Sequence, residues 1–260
     1  MMNYEDFKKE IYAMTGIELG YYKEKQMKRR IDSLIKKNEF EGYSDYVKAL
    51  KSNKALFNEF INYLTINVSE FFRNPEQWNV LEKEILPGLF AKTKTLKIWS
   101  SACSTGEEPY SMVMLLSNFM PLSNIRILAT DIDRDAISKA IDGVYNHKAL
   151  VNVPQNYKDR FFSQNGLLYK VKDEVKKCVE FRQLNLLRDD YPRECDLILC
   201  RNVLIYFTEE AKAMIYPRFN RALKRNGILF VGSTEQIIMA NRYRLKPVKT
   251  FFYMKDGDCQ

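Results

Sequence analysis

One stretch limits the fold more than any other. Leu96–Ala102 (LKIWSSA) is an apolar run of strand length. It passes into a turn of small and acidic residues, Ser104-Thr-Gly-Glu-Glu-Pro109, and then into a helix-period run, Tyr110–Met120. A buried strand that turns through a glycine into a helix predicts a parallel α/β sheet that binds ligand where the strand ends. The downstream pattern agrees. Strands are predicted at Ile125–Thr130, Val179–Leu184, Asp196–Cys200, Ile228–Gly232 and Thr250–Met254, with helices at Arg134–Ile141 and Thr208–Lys224. Thr208 followed by two glutamates marks a helix start, and Pro217 within that helix predicts a kink. Between Gly143 and Val179 the rhythm breaks. A turn at Gln164-Asn-Gly166 and the alternating run up to Lys172 predict a small inserted β element.

The first seventy-odd residues carry no alternating β-branched run. Tyr4–Thr15, Lys23–Lys37, Tyr43–Leu50 and Lys54–Leu64 read as helices, and Met27, Ile31, Leu34 and Ile35 line one face of the second. The expected organisation is a helical domain with linker over 1–75 and an α/β domain over 76–260, with the β insertion at about 143–178.

Charge narrows the partners. The chain has 41 basic and 33 acidic residues, a net charge of +8, which suits nucleic acid, an anionic membrane or an acidic protein. The excess is local. Residues 21–37 hold seven Lys/Arg against two acids, and 218–255 hold nine against Glu235 alone, while the segment 76–137 is slightly acidic. A single histidine, His147, argues against a Ser-His-Asp hydrolase or a multi-histidine metal site, and its place in the insertion predicts a surface or packing role. The five cysteines (Cys103, Cys178, Cys195, Cys200, Cys259) form no CxxC pair, so no disulfide framework or zinc finger is signalled, and a reducing cytosol is the expected setting. The N-terminus lacks the apolar core of a signal peptide. The longest uncharged run, Pro109–Ile125, is shorter than the roughly 20 apolar residues a membrane span needs. These features predict a soluble, cytoplasmic protein with no metal.

The chemistry clusters at strand ends. Glu107 and Glu108 open a helix after a turn with one glycine, where a pyrophosphate would meet like charge. A cationic ligand without phosphates, such as S-adenosylmethionine, suits that position; the two acids complementing the helix dipole is the other reading. Asp131, ending the second strand about 20 residues on, is placed to accept from both ribose hydroxyls, and Asp133 is a helix N-cap candidate. Asn185, after the third strand, either meets an adenine edge or forms a turn. Arg201 and Asn202, after the fourth, need a ligand or a network if buried. Upstream, Asn67, Ser69 and Arg73 bracket Phe71 and Phe72, two aromatics expected in the core.

Together these residues resemble the chemoreceptor glutamate methyltransferases of the CheR type. The resemblance rests on NVSEFFR, WSSACSTGEEPYS, ATDID, LNLL, CRNVLIYF and GILFVGSTE, in order along nearly the whole chain. It implies a Rossmann-like class I S-adenosylmethionine-dependent methyltransferase domain, an N-terminal all-helical domain and a small inserted antiparallel β-subdomain. It implies cofactor contacts at Asn67, Ser69, Arg73, Ser101, Glu107, Asp131, Asn185, Leu186, Arg201 and Asn202, with Arg73 and Tyr206 beside the methyl-transfer point. The implied reaction makes γ-glutamyl methyl esters on the cytoplasmic domain of a methyl-accepting chemoreceptor and leaves S-adenosylhomocysteine. A glutamate with pKa near ~4.3 is already ionised at neutral pH and needs no strong base. Family members that tether to a receptor's C-terminal pentapeptide carry a longer glycine-rich loop in the β-subdomain. The loop here, Phe162-Ser-Gln-Asn-Gly-Leu167, is short, so pentapeptide-independent action is expected.

An acidic receptor helix calls for a basic reader. On the helix over 23–37, Lys25, Arg29 and Lys36 face away from the apolar stripe, flanked by Arg30 and Lys37. We expect Lys25, Arg29, Arg30 and Lys36 to meet the receptor; an ordinary solvated face is the other reading. Arg218, Arg221, Lys224 and Arg225 suit a helix C-terminus, whereas Arg242, Arg244, Lys246 and Lys249 have no assignment in the sequence. No RNA-binding motif is seen, and a monomer without nucleic acid or membrane insertion is expected. The competing classes are a methyltransferase acting on RNA or a small molecule, and a cofactor-binding adaptor without catalysis.

Overall fold

The computed structural model describes residues 2–257 and divides into two compact units. The first holds the chain up to Asn67 together with Tyr206–Met214; the second holds Val68–Ile205 and the chain from Ile215 onward.

The first unit contains α1 (Tyr4–Thr15), α2 (Glu24–Lys37), α3 (Tyr43–Ser52) and α4 (Lys54–Thr65). Local chemistry sets the ends. The Asn3 side chain accepts from Asp6 N–H at 2.9 Å, Gly16 closes α1 at φ 70°, and Asn53 ends α3 while capping α4 through Leu56 N–H. Met27, Ile31, Leu34 and Ile35 are buried, as their spacing predicts, in a core with Phe7, Ile11, Tyr46 and Phe60. Tyr206–Thr208 joins this unit by backbone pairing. Tyr206 C=O accepts from Lys23 N–H and Thr208 N–H donates to Tyr21 C=O, both at 2.9 Å, while Phe207 packs on Tyr22.

The second unit opens with α5 (Pro75–Val80) and α6 (Leu86–Phe90), joined by a single π-helical turn over Leu81–Ile85. This helical stretch is not among the predicted elements, although Pro75 at its first position and buried Trp78, Leu81, Ile85 and Leu89 mark it. Then follow β1 (Ile98–Ser100), α7 (Glu107–Leu116), β2 (Ile127–Asp131), α8 (Arg134–Asp142), β3 (Val144–Asn146), α9 (Gln155–Phe161), β4 (Phe162–Asn165), β5 (Leu168–Val171), α10 (Asp173–Lys176), β6 (Val179–Gln183), β7 (Cys195–Cys200), α11 (Glu209–Ala222), β8 (Leu223–Val231), β9 (Leu245–Lys249) and β10 (Phe252–Lys255). Thr208 Oγ1 accepts from Ala211 N–H at the start of α11, and Pro217 lies within that helix.

The main sheet runs β6-β2-β1-β7-β8-β10-β9. Its first five strands are parallel, and β10 is antiparallel to both neighbours. Every residue of β7 and of α7 is buried, so both elements read as apolar runs rather than amphipathic ones.

β9, which sequence analysis missed, accounts for part of the unassigned basic run. It is the edge strand, and Lys246, Pro247 and Lys249 are exposed on it. Lysine and proline on an edge discourage pairing with another chain. Lys249 also forms an ion pair with Glu84. Arg218 is likewise consumed: it donates to Leu186 C=O and lies over the Tyr191 ring.

The insertion forms a separate antiparallel sheet, β3-β5-β4. Most of the segment read as a short loop is strand. Only Gly166, at φ 59°, and Leu167 lie between the paired residues Asn165 and Leu168. His147 is exposed with its ring against Tyr169. Cys103, Cys178, Cys195 and Cys200 are buried free thiols; Cys259 lies outside the described residues. Among the described residues no helix is long and apolar enough to cross a membrane.

Candidate functional site

β1 and β7 are neighbours, and the chain runs from β1 outward to β2 on one side and from β7 outward to β8 on the other. The crevice beyond the strand ends at such a point is where open α/β sheets bind ligands. Ser101 knits that point together: its N–H and its hydroxyl both donate to Leu199 C=O at 2.9 Å. Cys103 N–H donates to Thr130 C=O. Gly106 sits at φ 96°, and a Cβ there would approach Ala140 Cβ to 2.8 Å, so the turn demands glycine.

Asp131 ends β2 with its carboxylate fixed. Oδ2 accepts from Ser104 N–H at 2.8 Å and Oδ1 from Asp133 N–H at 3.0 Å. With the Ile132 N–H also against it, the carboxylate keeps about one of its roughly four acceptor sites for a further donor. Burial pushes this carboxyl up to about 6 despite its backbone N–H bonds. Asp133 does the other job: it caps α8 by accepting from Asp135 and Ala136 N–H.

The acidic pair at the start of α7 separates. Glu107 accepts from the Thr105 and Ser69 hydroxyls, and burial raises its carboxyl. It lines a cleft of about 370 Å³ with Ser69, Glu70, Thr105, Lys139 and Lys148. Glu108 turns inward: Oε1 accepts from Ser100 at 2.8 Å and Oε2 faces Arg201 at 3.3 Å.

Arg73 sits between two strained residues, Phe72 at φ 50° and Asn74 at φ 59°. Phe72 N–H donates to Ser111 Oγ at 3.0 Å, and that hydroxyl donates to Glu107 C=O at 2.6 Å. Phe71 and Phe72 are core residues, as expected. The Arg73 carbonyl accepts from the Trp78 indole at 3.1 Å and from Arg201 at 2.6 Å. The Arg73 side chain is partly exposed and donates to Val68 C=O.

Arg201 is 5% exposed and met by a network. Asn202, at φ 60°, is held by Glu235, whose charge stood out in the sequence without a role. Glu235 accepts from Asn202 N–H at 2.6 Å, Gly232 N–H at 2.8 Å and Ile205 N–H at 3.1 Å. Its signal was an acid two residues after GS at the end of an apolar strand. Asn185 forms the turn: its Oδ1 accepts from Leu187 N–H, while Leu186 C=O accepts from Tyr191 and Arg218.

Asn67 and Tyr206 belong to the first unit, where the Asn67 amide donates to Thr65 Oγ1. On α2, Lys25, Arg29 and Lys36 are exposed. Arg30 differs: it donates to Tyr63 C=O and stacks 4.4 Å from that ring, holding α2 to α4.

The chain matches two family descriptions. Residues 67–252 match "CheR methyltransferase, SAM binding domain" and residues 2–65 match "CheR methyltransferase, all-alpha domain". It is 40% identical to a chemotaxis protein methyltransferase of Listeria monocytogenes over 97% of both chains. It is 33% identical to the Borreliella burgdorferi protein of that name, covering 87% of this chain and 85% of that one. For the Escherichia coli protein the identity is 32%, over 95% of this chain and 88% of the other.

Proposed function

The chain belongs to the CheR methyltransferase family, and from that premise we propose that it methylates glutamate side chains on the cytoplasmic helices of a chemoreceptor, without pentapeptide tethering. The observation that carries this reading is the acidic strand-end site. Asp131 is fixed by backbone N–H groups at the end of β2, and Glu107 at the start of α7 lines a cleft with Ser69 and Thr105. Such a donor set fits S-adenosylmethionine: hydroxyls for Asp131, positive charge for Glu107, and no phosphate to meet the acids.

When bound, the cofactor supplies an electrophilic methyl group on a sulfonium. Asp131 would hold the ribose and Glu107, with Ser69, the amino-acid end. Asn185, Leu186, Ser101, Asn202 and Asn67 complete the set that the family resemblance implies. Arg73 orients the acceptor carboxylate, and Tyr206 aligns its oxygen. The bound donor would supply its methyl group to a carboxylate held by Arg73 and Tyr206, and no proton transfer would be needed. The chain therefore contributes position and partial desolvation rather than a base. Exposed Lys25, Arg29 and Lys36 form the surface for an acidic helix, with Arg30 anchoring that surface from below. The enzyme acts as a cytoplasmic monomer on protein rather than nucleic acid.

The test is incubation with methyl-labelled cofactor and either receptor cytoplasmic fragments or RNA. Base-labile label on the receptor supports an ester. Label on RNA alone, or cofactor binding without transfer to either, overturns the reading.

A further inference from the structure

Arg201 stands out because its guanidinium is spent entirely inside the second unit. Its side chain is 2% exposed. Nη2 donates to the Arg73 carbonyl at 2.6 Å and to Gln77 Oε1 at 3.3 Å, and Nη1 faces Glu108 Oε2 at 3.3 Å. The group lies 4.7 Å from the Phe230 ring centre and 5.4 Å from that of Trp78. Its Nε is buried with no hydrogen-bond partner among the described residues. Leaving a buried N–H unmet is costly, so the fork is oriented for its Nη partners at the expense of the third nitrogen.

The shortest of those bonds goes to the backbone at Arg73. Phe72 and Asn74 both occupy the left-handed region that side chains disfavour. A segment kinked on both sides relaxes unless something holds it. The Arg73 carbonyl has two holders, Arg201 and the Trp78 indole. Glu108 links that hold to the first turn of α7, the helix that also carries Glu107.

We propose that Arg201 is a positioning residue that acts through the Arg73 backbone, fixing where the Arg73 side chain points, and that its guanidinium does not bind the cofactor. This rests on the reading of Arg73 as the residue that orients the acceptor. The linkage joins the strand-end turn after β7 to the segment before α5 through one buried cation.

Two variants test it by separate routes. Arg201→Lys keeps the charge but loses the fork, and Trp78→Phe removes only the second donor to the same carbonyl. Three readouts are taken on the full chain: tryptic cleavage of the Arg73–Asn74 bond, cofactor Kd by calorimetry, and kcat on receptor fragments. Loss of one charged or neutral hydrogen bond to the carbonyl should speed cleavage at that bond by about tenfold. Other sites should stay as slow as in the unaltered protein. Cofactor Kd should stay within about twofold while kcat falls about tenfold. Faster cleavage at every site would mean general loosening and overturns the proposal, as does cleavage that stays slow at Arg73. Cofactor Kd that weakens as much as kcat falls also overturns it, because the guanidinium would then be a ligand. Selective cleavage with unchanged kcat supports the hold on Arg73 and instead sinks the catalytic role assigned to Arg73.

Discussion

The two units use charge in opposite ways. On α2 the cations Lys25, Arg29 and Lys36 stand in solvent, and the nearby Lys28–Asp32 pair is itself nearly half exposed. In the second unit Glu107, Glu108, Asp131, Asp133, Arg201 and Glu235 are all buried, and each has hydrogen-bond or ion partners inside the fold. Water screens the first set, so its members act singly, at range and in a salt-dependent way. The second set is desolvated, so its members are coupled and sensitive to exact geometry. An exposed charge recruits; a buried one positions.

That contrast breaks or sharpens at defined points. The largest effect is expected at Asp131. Asp131→Asn leaves one oxygen acceptor and places an amide against a backbone N–H. Cofactor Kd should weaken about 100-fold, on the order of 3 kcal/mol, by calorimetry; a change under about threefold would remove Asp131 from the site.

Next comes reversal of the α2 face. Lys25→Glu with Arg29→Glu should raise KM for receptor about tenfold, with a weaker salt dependence than the unaltered enzyme and cofactor Kd unchanged. Receptor KM that does not move would make the face merely solvated.

The buried set should also show a pH signature. Burial holds the free Asp131 carboxyl at about 6. Ligand hydroxyls donate to the ionised form, so the bound pKa lies lower. The sign follows: cofactor affinity is full above about 6 and falls as pH drops through that value, by about tenfold per unit. Titration calorimetry from pH 7 to pH 5 checks this, and a flat profile would mean Asp131 does not gain donors on binding.

The smallest effect is reserved for the surface. Lys28→Ala removes a pair to Asp32 at 3.2 Å and should cost under about 1 kcal/mol in urea unfolding. A larger loss would blur the distinction between the units.

Much of this was legible beforehand for a physical reason. Helices α1 to α4 show one apolar face to a core and the other to water, and that asymmetry is written every three or four residues. Strand ends such as Asp131 and Asn202 stand out because polar residues follow apolar runs. Four things lie beyond local pattern. Pairing of Tyr206–Thr208 with Tyr21–Lys23 is a match between residues some 185 apart in sequence, which no periodicity encodes. The left-handed backbone at Phe72 and Ser104 contradicts the preference of both residue types, and only the surrounding bonds impose it. Arg201 read as a residue in need of a ligand or a network; composition cannot tell which, and the structure supplies the network. Edge strand β9 was hidden by Pro247, which argues against a strand anywhere except an edge.

The burial of Cys103 has a consequence for chemical safety. An enzyme that holds a reactive methyl donor must not offer a better nucleophile than its substrate, and a thiolate is one. Cys103 sits in the turn of the proposed cofactor site, fully buried. Burial, with Asp131 and Glu108 nearby, pushes its thiol well above the ordinary range. The sulfur stays protonated at neutral pH, so burial in the turn protects the protein from alkylating itself.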